Sequence, residues 1–343
     1  MAELCTLYLA DAEAGRLLTR RGASKRASTL LTDRSRIDGH IRPLLVTMKV
    51  PAVTRQDVEG FMHDVAEGRT RQRVKLGKPR ALSIVRGGKG AAARTVGLLG
   101  ALFTYAVKKG MRPDNPVTGT VRYADGRRER RLTDVDYAAL GKGLTAAAVI
   151  QPRSDDKPGK ALVWPAAIAV TRFLALTGWR SGEALGLTWG MVDLARRTAT
   201  LPMSKTGHSI RPLAVAACNV LRTMGAGNAD ALVFPPSRGK GTMSGFPSLF
   251  ARIGKAGGLA PDVTPHVLRH SFASLGNDLG LTEATIGALV GHKGGGVTRG
   301  YIHAGDAVFP AADRIASATL RKMEGETGAE VLGVPSVMAR RPA

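Results

Sequence analysis

The stretch Ala92–Gly110, AARTVGLLGALFTYAVKKG, constrains the fold more than any other part of the chain. Its apolar residues recur at helical spacing, and it closes on Gly110 with Pro113 shortly after, the usual stop signals of a helix. A long helix with an apolar stripe must lay that stripe against other elements. Partners lie just upstream. ASKRASTLLTDRSRIDGHIRPLL carries apolar residues at the same spacing, and TRQDVEGFMHDVAEG opens on Thr54 with Asp57 at the third helical position, a capping pattern. Only 5% of the residues are aromatic, so the core must be built mostly from Ala, Leu and Val. The expectation for residues 1–124 is a helical domain.

Residues 125–133, DGRRERRLT, are polar and basic and precede a new helix start at LTDVDYAAL, which reads as a linker between domains. Within the next region, 134–324, the stretch Met191–Ala214 reads as a β-hairpin: RTATLPM, a polar turn SKTGHS, then IRPLAVA. The rest of that region reads as helices. Residues 325–343, with their Pro and Gly, read as a loose tail. The fold class is therefore mainly α with a small β-hairpin: a helical first domain and a mixed α+β second domain. No apolar run reaches the roughly 18 residues of a membrane span, so no membrane partner is expected. The N-terminus carries early acids and lacks the basic start of a signal peptide. Cys5 and Cys218 give neither a disulfide framework nor a CxxC pair, which fits a reducing cytoplasm.

Charge narrows the partner. Lys and Arg number 50 against 27 Asp and Glu, a formal net charge of +23. That points to a polyanion, most often nucleic acid; a compositional bias towards Arg is the alternative. Arg69–Arg94 concentrates the signal. It holds Arg69, Arg71, Arg73, Lys75, Lys78, Arg80, Arg86, Lys89 and Arg94 and no acid. The expectation is a loop that tracks DNA phosphates, against the alternative of a solvated loop.

Four short stretches could carry chemistry. TPHVLRHSFAS, Thr264–Ser274, puts His266, Arg269 and His270 at helical positions i, i+3 and i+4. A zinc helix would need a Glu between its histidines. A guanidinium among imidazoles suits a phosphate better, and incidental surface charge is the alternative. ALTGWRSGEALGLTW, Ala175–Trp189, places Arg180 after a Thr-Gly turn, with Glu183 on the same face to hold it, or simply as an ion pair at a helix start. SKTGHS puts Lys205 at a hairpin tip, as a reaching ammonium or a solubilising turn residue. ALVGHKGGGVTRGYIH, Ala288–His303, carries His292, a glycine run and then Tyr301, which is otherwise a half-buried aromatic. His270 has no assigned role; a place in the core or behind the site is expected.

In order, Arg180, Lys205, His266, Arg269, His292 and Tyr301 resemble the tyrosine recombinase (phage-type integrase) family. Arg180 matches its T-G-x-R-x-x-E segment, Lys205 its hairpin lysine, His266 and Arg269 its H-x-L-R-H segment, His292 its G-H, and Tyr301 follows at the family's interval. KGGG after His292 is richer in glycine than the family pattern. The first domain resembles the core-binding domain by position and length; with so little chain before it, the expectation is either an arm-less member of the family or a truncated chain that lacks an arm-binding domain. The resemblance implies DNA cleavage and rejoining through a 3′-phosphotyrosyl link by a catalytic domain at 134–324. In that reading Arg180 and Arg269 clamp the phosphate, with Glu183 supporting Arg180. Lys205 acts as general acid, His266 assists the proton transfer, His292 bonds the phosphate, and Tyr301 attacks. It implies no metal and no other cofactor, four subunits on two duplexes, DNA-bending or directionality proteins as possible accessories, and residence at the nucleoid. AADRIASATLRKM, near the end, is expected to dock on a neighbouring subunit. A type IB topoisomerase that nicks and reseals one duplex would use the same residues. A DNA-binding relative that no longer cuts, or a basic RNA-binding protein, stays open as well.

Overall fold

Capping chemistry marks where two of the longer helices begin. Thr54 and Thr133 each exchange bonds with the aspartate three residues on: the Thr54 amide donates to Asp57 Oδ2 at 2.8 Å and the Thr133 amide to Asp136 Oδ2 at 2.9 Å. Each threonine hydroxyl accepts the aspartate's own amide at 3.2 Å, so two otherwise unpaired helix-end donors are satisfied at each start. The computed structural model describes residues 1–19, 22–75, 77, 82–124, 130–151, 160–204, 207–291 and 308–326. The linker expected at 125–133 and the tail expected at 325–343 fall largely outside them. The chain divides into two units, Met1–Arg128 and Glu129–Ala343.

The first unit contains α1 (Ala2–Glu13), α2 (Ala27–Arg36), a π turn at Ile37–Ile41, α3 (Arg42–Leu45), α4 (Arg55–Glu67), strands β1 (Gln72–Lys75) and β2 (Leu82–Val85), and α5 (Lys89–Lys108). Its core joins Leu4 of α1, Ile37 and Ile41 of the π turn, Val58, Phe61 and Val65 of α4, and Val96, Leu99, Leu102 and Phe103 of α5. α5 is long and apolar enough to cross a membrane, contrary to the expectation from the sequence. Its apolar stripe is consumed by this core, which accounts for its hydrophobicity. The basic stretch expected to be a loop is also corrected. β1 and β2 pair antiparallel, Arg73 opposite Ile84 and Lys75 opposite Leu82, and Lys89 opens α5. Backbone pairing holds these strands together; β1 is exposed along its whole length.

The second unit contains α6 (Asp134–Ala148), β3 (Ile150–Gln151), β4 (Lys160–Ala161), α7 (Pro165–Thr177), α8 (Ser181–Leu185), β5 (Val192–Asp193), β6 (Thr198–Ser204), β7 (Gly207–Pro212), α9 (Val215–Thr223), α10 (Phe246–Gly257), α11 (Pro265–Asp278), α12 (Glu283–Val290) and α13 (Val308–Glu324). α7 is the hub, packed against α6, α8, α9, α10, α11 and α13. Even its polar Thr171 and Thr177 are buried. Their hydroxyls donate to the carbonyls of Ala167 and Phe173, both at 2.7 Å, so neither group is left unpaired. The hairpin expected from the sequence is β6–β7 of a three-stranded antiparallel sheet, ordered β5-β6-β7, with Ala199 opposite Arg211.

In the structure α13 turns its Ala, Ile and Met stripe onto its own unit, against α6 and α7. Arg197 donates twice to Asp313 of α13 at 2.8 Å, and Asp313 also accepts the Val215 amide at 2.8 Å, fastening sheet, α9 and α13 together. Burying that stripe inside the same chain removes apolar surface from water without the entropy cost of association.

Candidate active site

The site is built on the turn that ends α7. Gly178 takes φ 62°, a left-handed value that a side chain resists, and an added Cβ would lie 2.6 Å from the Phe272 ring. The reversal buries Trp179 edge-on to Phe173, with centroids 5.2 Å apart. It then sets Arg180 at the start of α8. There the Arg180 amide donates to Glu183 Oε2 at 3.2 Å and its Nη1 donates to Glu183 Oε1 at 2.8 Å. The Glu183 side chain is 8% exposed and that of Arg180 27%, so the carboxylate is the hidden partner and the guanidinium faces outward.

Arg269 arrives from the other side. α11 starts at Pro265, a residue preorganised for a first helical turn. One turn in, Arg269 is 5% exposed and its Nη1 donates to the Gly178 carbonyl at 2.9 Å. The helix thus splits the three residues that the spacing grouped. Arg269 points inward, while His266 and His270 are both exposed and pack edge-to-face with centroids 4.5 Å apart. His270 was expected in the core or behind the site. It lies at the surface instead, because its position on α11 turns away from α7.

A third arginine, missed in the sequence, completes the cluster. Arg211 of β7 is 0% exposed. Its Nε donates to Ser209 Oγ at 2.8 Å, its guanidinium lies 5.6 Å from the centre of the Trp179 ring, and its Nη2 stands 3.6 Å from Glu183 Oε1. Gly291, the last residue of the α12 turn, has φ 67° and lies so close that a Cβ there would fall 1.9 Å from Arg211 Cζ. Strand alternation was the available signal: Leu213 faces the core, so Arg211 two residues earlier does too.

Two guanidiniums, of Arg180 and Arg211, therefore face the Glu183 carboxylate, and a third, of Arg269, bonds the turn beside it. Burial, then the nearby Arg180 charge, lowers the Arg269 pKa to about 10, and burial lowers that of Arg211 as well. Arg269 remains a cation at neutral pH. Among the described residues eight buried side-chain polar atoms lack a hydrogen-bond partner, and four of them are Trp179 Nε1, Arg211 Nη1 and Nη2, and Arg269 Nη2. An unpaired buried donor costs about 1–3 kcal/mol. Concentrating them at one place leaves a strongly positive spot beside Arg180, where preorganised charge suits an oxyanion. Lys205, His292 and Tyr301 lie outside the described residues.

The first unit carries the basic stretch. Arg71, Arg73 and Arg86 line one groove of about 880 Å³ beside the β1–β2 hairpin. Arg69 is set apart by ion pairs to Asp64 at 3.0 Å and Glu67 at 3.5 Å. Lys78 and Arg80 lie outside the described residues. Arg94 instead lines a second groove, of about 870 Å³, with Lys25, Arg36 and Arg122, three cations that the sequence pattern does not single out.

Comparison with known proteins adds independent likeness. Residues 156–307 match the model of the phage integrase family. The chain is 28% identical over 261 residues to tyrosine recombinase XerC of Stutzerimonas stutzeri (strain A1501), covering 72% of this chain and 77% of that protein. It is 32% identical over 212 residues to the shufflon-specific DNA recombinase of Escherichia coli, covering 60% of this chain and 49% of that protein. Among solved structures, a lambda integrase (75-356) dimer bound to a COC′ core site superposes with a TM-score of 0.61 at 19% identity, over 85% of this chain and 94% of that one. The Tn1549 transposon integrase (aa 82-397) in complex with circular intermediate DNA gives 0.58 at 18% identity, over 91% and 98%. These structural likenesses establish the fold.

Proposed function

We propose that the chain, whose residues 156–307 match the phage integrase family, is a site-specific DNA recombinase of the tyrosine recombinase type that integrates or excises a mobile element. The observation that carries this reading is the meeting of Arg180 with Arg269 at one turn. Arg269 Nη1 and the Gly178 carbonyl bond across 91 residues of sequence, and Arg269 Nη2 is left without a partner. Such a pair is suited to a phosphate whose charge grows during reaction.

In this mechanism the Tyr301 phenol attacks the scissile phosphorus. A bond forms between the phenolic oxygen and phosphorus, and the bond from phosphorus to the 5′ oxygen breaks. The phenol proton passes to His266, and Lys205 gives a proton to the departing 5′ oxygen. Arg180 and Arg269 hold the non-bridging oxygens, Glu183 holds Arg180, and His292 donates to the phosphate. The products are a 3′-phosphotyrosyl link and a free 5′-hydroxyl. Reversal with a second 5′-hydroxyl rejoins the strand, with the bond energy conserved. We assign double-stranded DNA as the partner and four copies on two duplexes as the working assembly.

The test incubates the full chain with duplex spanning the ends of the element that carries its gene, in EDTA. A protein–DNA adduct stable to denaturant is expected, because fixed cations supply the charge that a divalent ion would otherwise supply. Cleavage that needs a divalent ion would contradict the mechanism. Relaxation of supercoils without strand exchange would favour the topoisomerase reading.

The β1–β2 hairpin is assigned to phosphate tracking, since its exposed cations lie on a strand pair that offers no recessed side chain for reading bases. Changing Arg71, Arg73, Lys75 and Arg86 to Gln together is expected to weaken target and random duplex by similar factors. The log–log salt slope should flatten by roughly 0.9 for each phosphate that is no longer neutralised. A salt titration on both duplexes measures this. Weakening confined to the target would mean that the hairpin reads sequence, and an unchanged slope would mean that it does not touch DNA.

A further inference from the structure

We propose that Arg211 is a positioning residue of the active site, one that offsets the charge of Glu183 so that Arg180 can be held by a carboxylate and still present a full positive charge to the phosphate. The inference rests on the recombinase reading for its substrate and on the geometry of the second unit for its charge.

Strand β7 is built against its own stability. Ile210 is 61% exposed while its neighbour Arg211 is 0% exposed. A strand selected only for burial would reverse them. Inside, Arg211 is poorly compensated. Its Nε has Ser209, but neither Nη has a hydrogen-bond partner among the described residues, and the carboxylate it faces, 3.6 Å away, is already bonded to Arg180. Replacing a buried, incompletely paired charge with an apolar side chain of similar volume is often neutral or stabilising. Stability does not explain this arginine.

The balance of charge does. Arg180 and Glu183 sum to zero, and Arg269 alone would leave the cluster at +1. Arg211 raises these four described residues to +2, towards the two negative charges of a phosphorane formed from a phosphodiester and a phenolate, with Lys205 and His266 adding to it in the proposed mechanism. Glu183 fixes Arg180 through two hydrogen bonds. Without a second cation that carboxylate would also cancel much of the field it positions. Arg211 is itself immobilised, between the Trp179 ring and the backbone of Gly291, so its charge needs no reorganisation during reaction. It acts through Glu183; contact with the phosphate is left to Arg180 and Arg269.

The test uses the full chain with Arg211→Met, Arg211→Lys, Glu183→Gln and the double variant Arg211→Met/Glu183→Gln. Arg211→Met is expected to keep or raise the melting temperature and to slow adduct formation on element-end duplex by about 10²-fold, comparable to removal of one oxyanion donor. Removing the now uncancelled carboxylate in the double variant should recover about tenfold or more, because contacting groups are coupled. Arg211→Lys should be impaired less than Arg211→Met. On duplex with a methylphosphonate at the scissile position, whose phosphorane carries one charge fewer, the Arg211→Met defect should shrink. A second arm needs no cleavage: inorganic phosphate should raise the melting temperature of the wild type, less so in Arg211→Met, and more again in the double variant. A lower melting temperature for Arg211→Met with no recovery in the double variant, or an equal defect on both substrates, would reduce Arg211 to packing. Absence of the phosphate effect in the wild type would also overturn the proposal. An Arg211-dependent phosphate effect without any adduct from the wild type would overturn the recombinase reading and leave the charge role standing.

Discussion

Tyr301→Phe retains DNA affinity and loses the covalent adduct. The substitution removes one oxygen and leaves the ring, so the bond-forming atom is gone while the rest of the side chain and the other phosphate-binding residues are unchanged. A phenol ordinarily titrates near pH 10, and at neutral pH it is a weak nucleophile. In the proposed mechanism the charge it must acquire is stabilised by the cations of Arg180, Arg211 and Arg269. No other residue is placed by its motif to take over. The measurement pairs a gel-shift affinity with an adduct assay under denaturing conditions. An adduct from the Phe variant would remove Tyr301 from the role of nucleophile.

Arg180→Ala and Arg269→Ala each lower single-turnover cleavage by about 10²–10³-fold, in line with about 3 kcal/mol for a missing oxyanion donor. The affinity for DNA should change little, since one phosphate among many is affected. The two differ in their side effects. Arg180 is partly exposed and its removal frees Glu183, which Arg211 still faces at 3.6 Å. Arg269 is buried, and its removal strips the Gly178 carbonyl of its donor while relieving an unpaired Nη2. Arg269→Lys separates charge from shape. Lysine keeps the cation but cannot span Gly178 and a phosphate oxygen as a planar fork does, so a large defect is expected there too. Near-wild-type cleavage by Arg269→Lys would show that charge alone suffices.

Local interactions were legible in the sequence because their partners are close along the chain. Thr54 with Asp57 and Arg180 with Glu183 both sit at i, i+3, and both pairs form. The β6–β7 hairpin was readable from alternation around a polar turn. The β1–β2 hairpin was not, because β1 is wet on both faces and shows no alternation of apolar and polar residues. Arg211 was hidden for the opposite reason. Its partners come from α8, from Trp179 and from Gly291, and only the fold collects them. A charged residue on an inward strand face contradicts the pattern by which strands are recognised, and such contradictions tend to fall at functional places. The split of α11 into an inward Arg269 and an outward histidine pair likewise depends on which side faces α7, which spacing alone does not state.

The turn at Gly178 has a mechanical consequence. Positional error in any linkage accumulates with the number of joints between its ends. Here the acceptor for Arg269 is the carbonyl of Gly178, the second clamp is Arg180, and its strut is Glu183, all within one reversal of chain at the end of the hub helix. Few rotatable backbone bonds separate the fixtures, and the joint between them is locked by a buried tryptophan. The proposed phosphate seat therefore behaves as a single rigid jig. Strain applied to the protein elsewhere, as when DNA is bent or exchanged, would displace the jig as a body before it altered the spacing between its jaws.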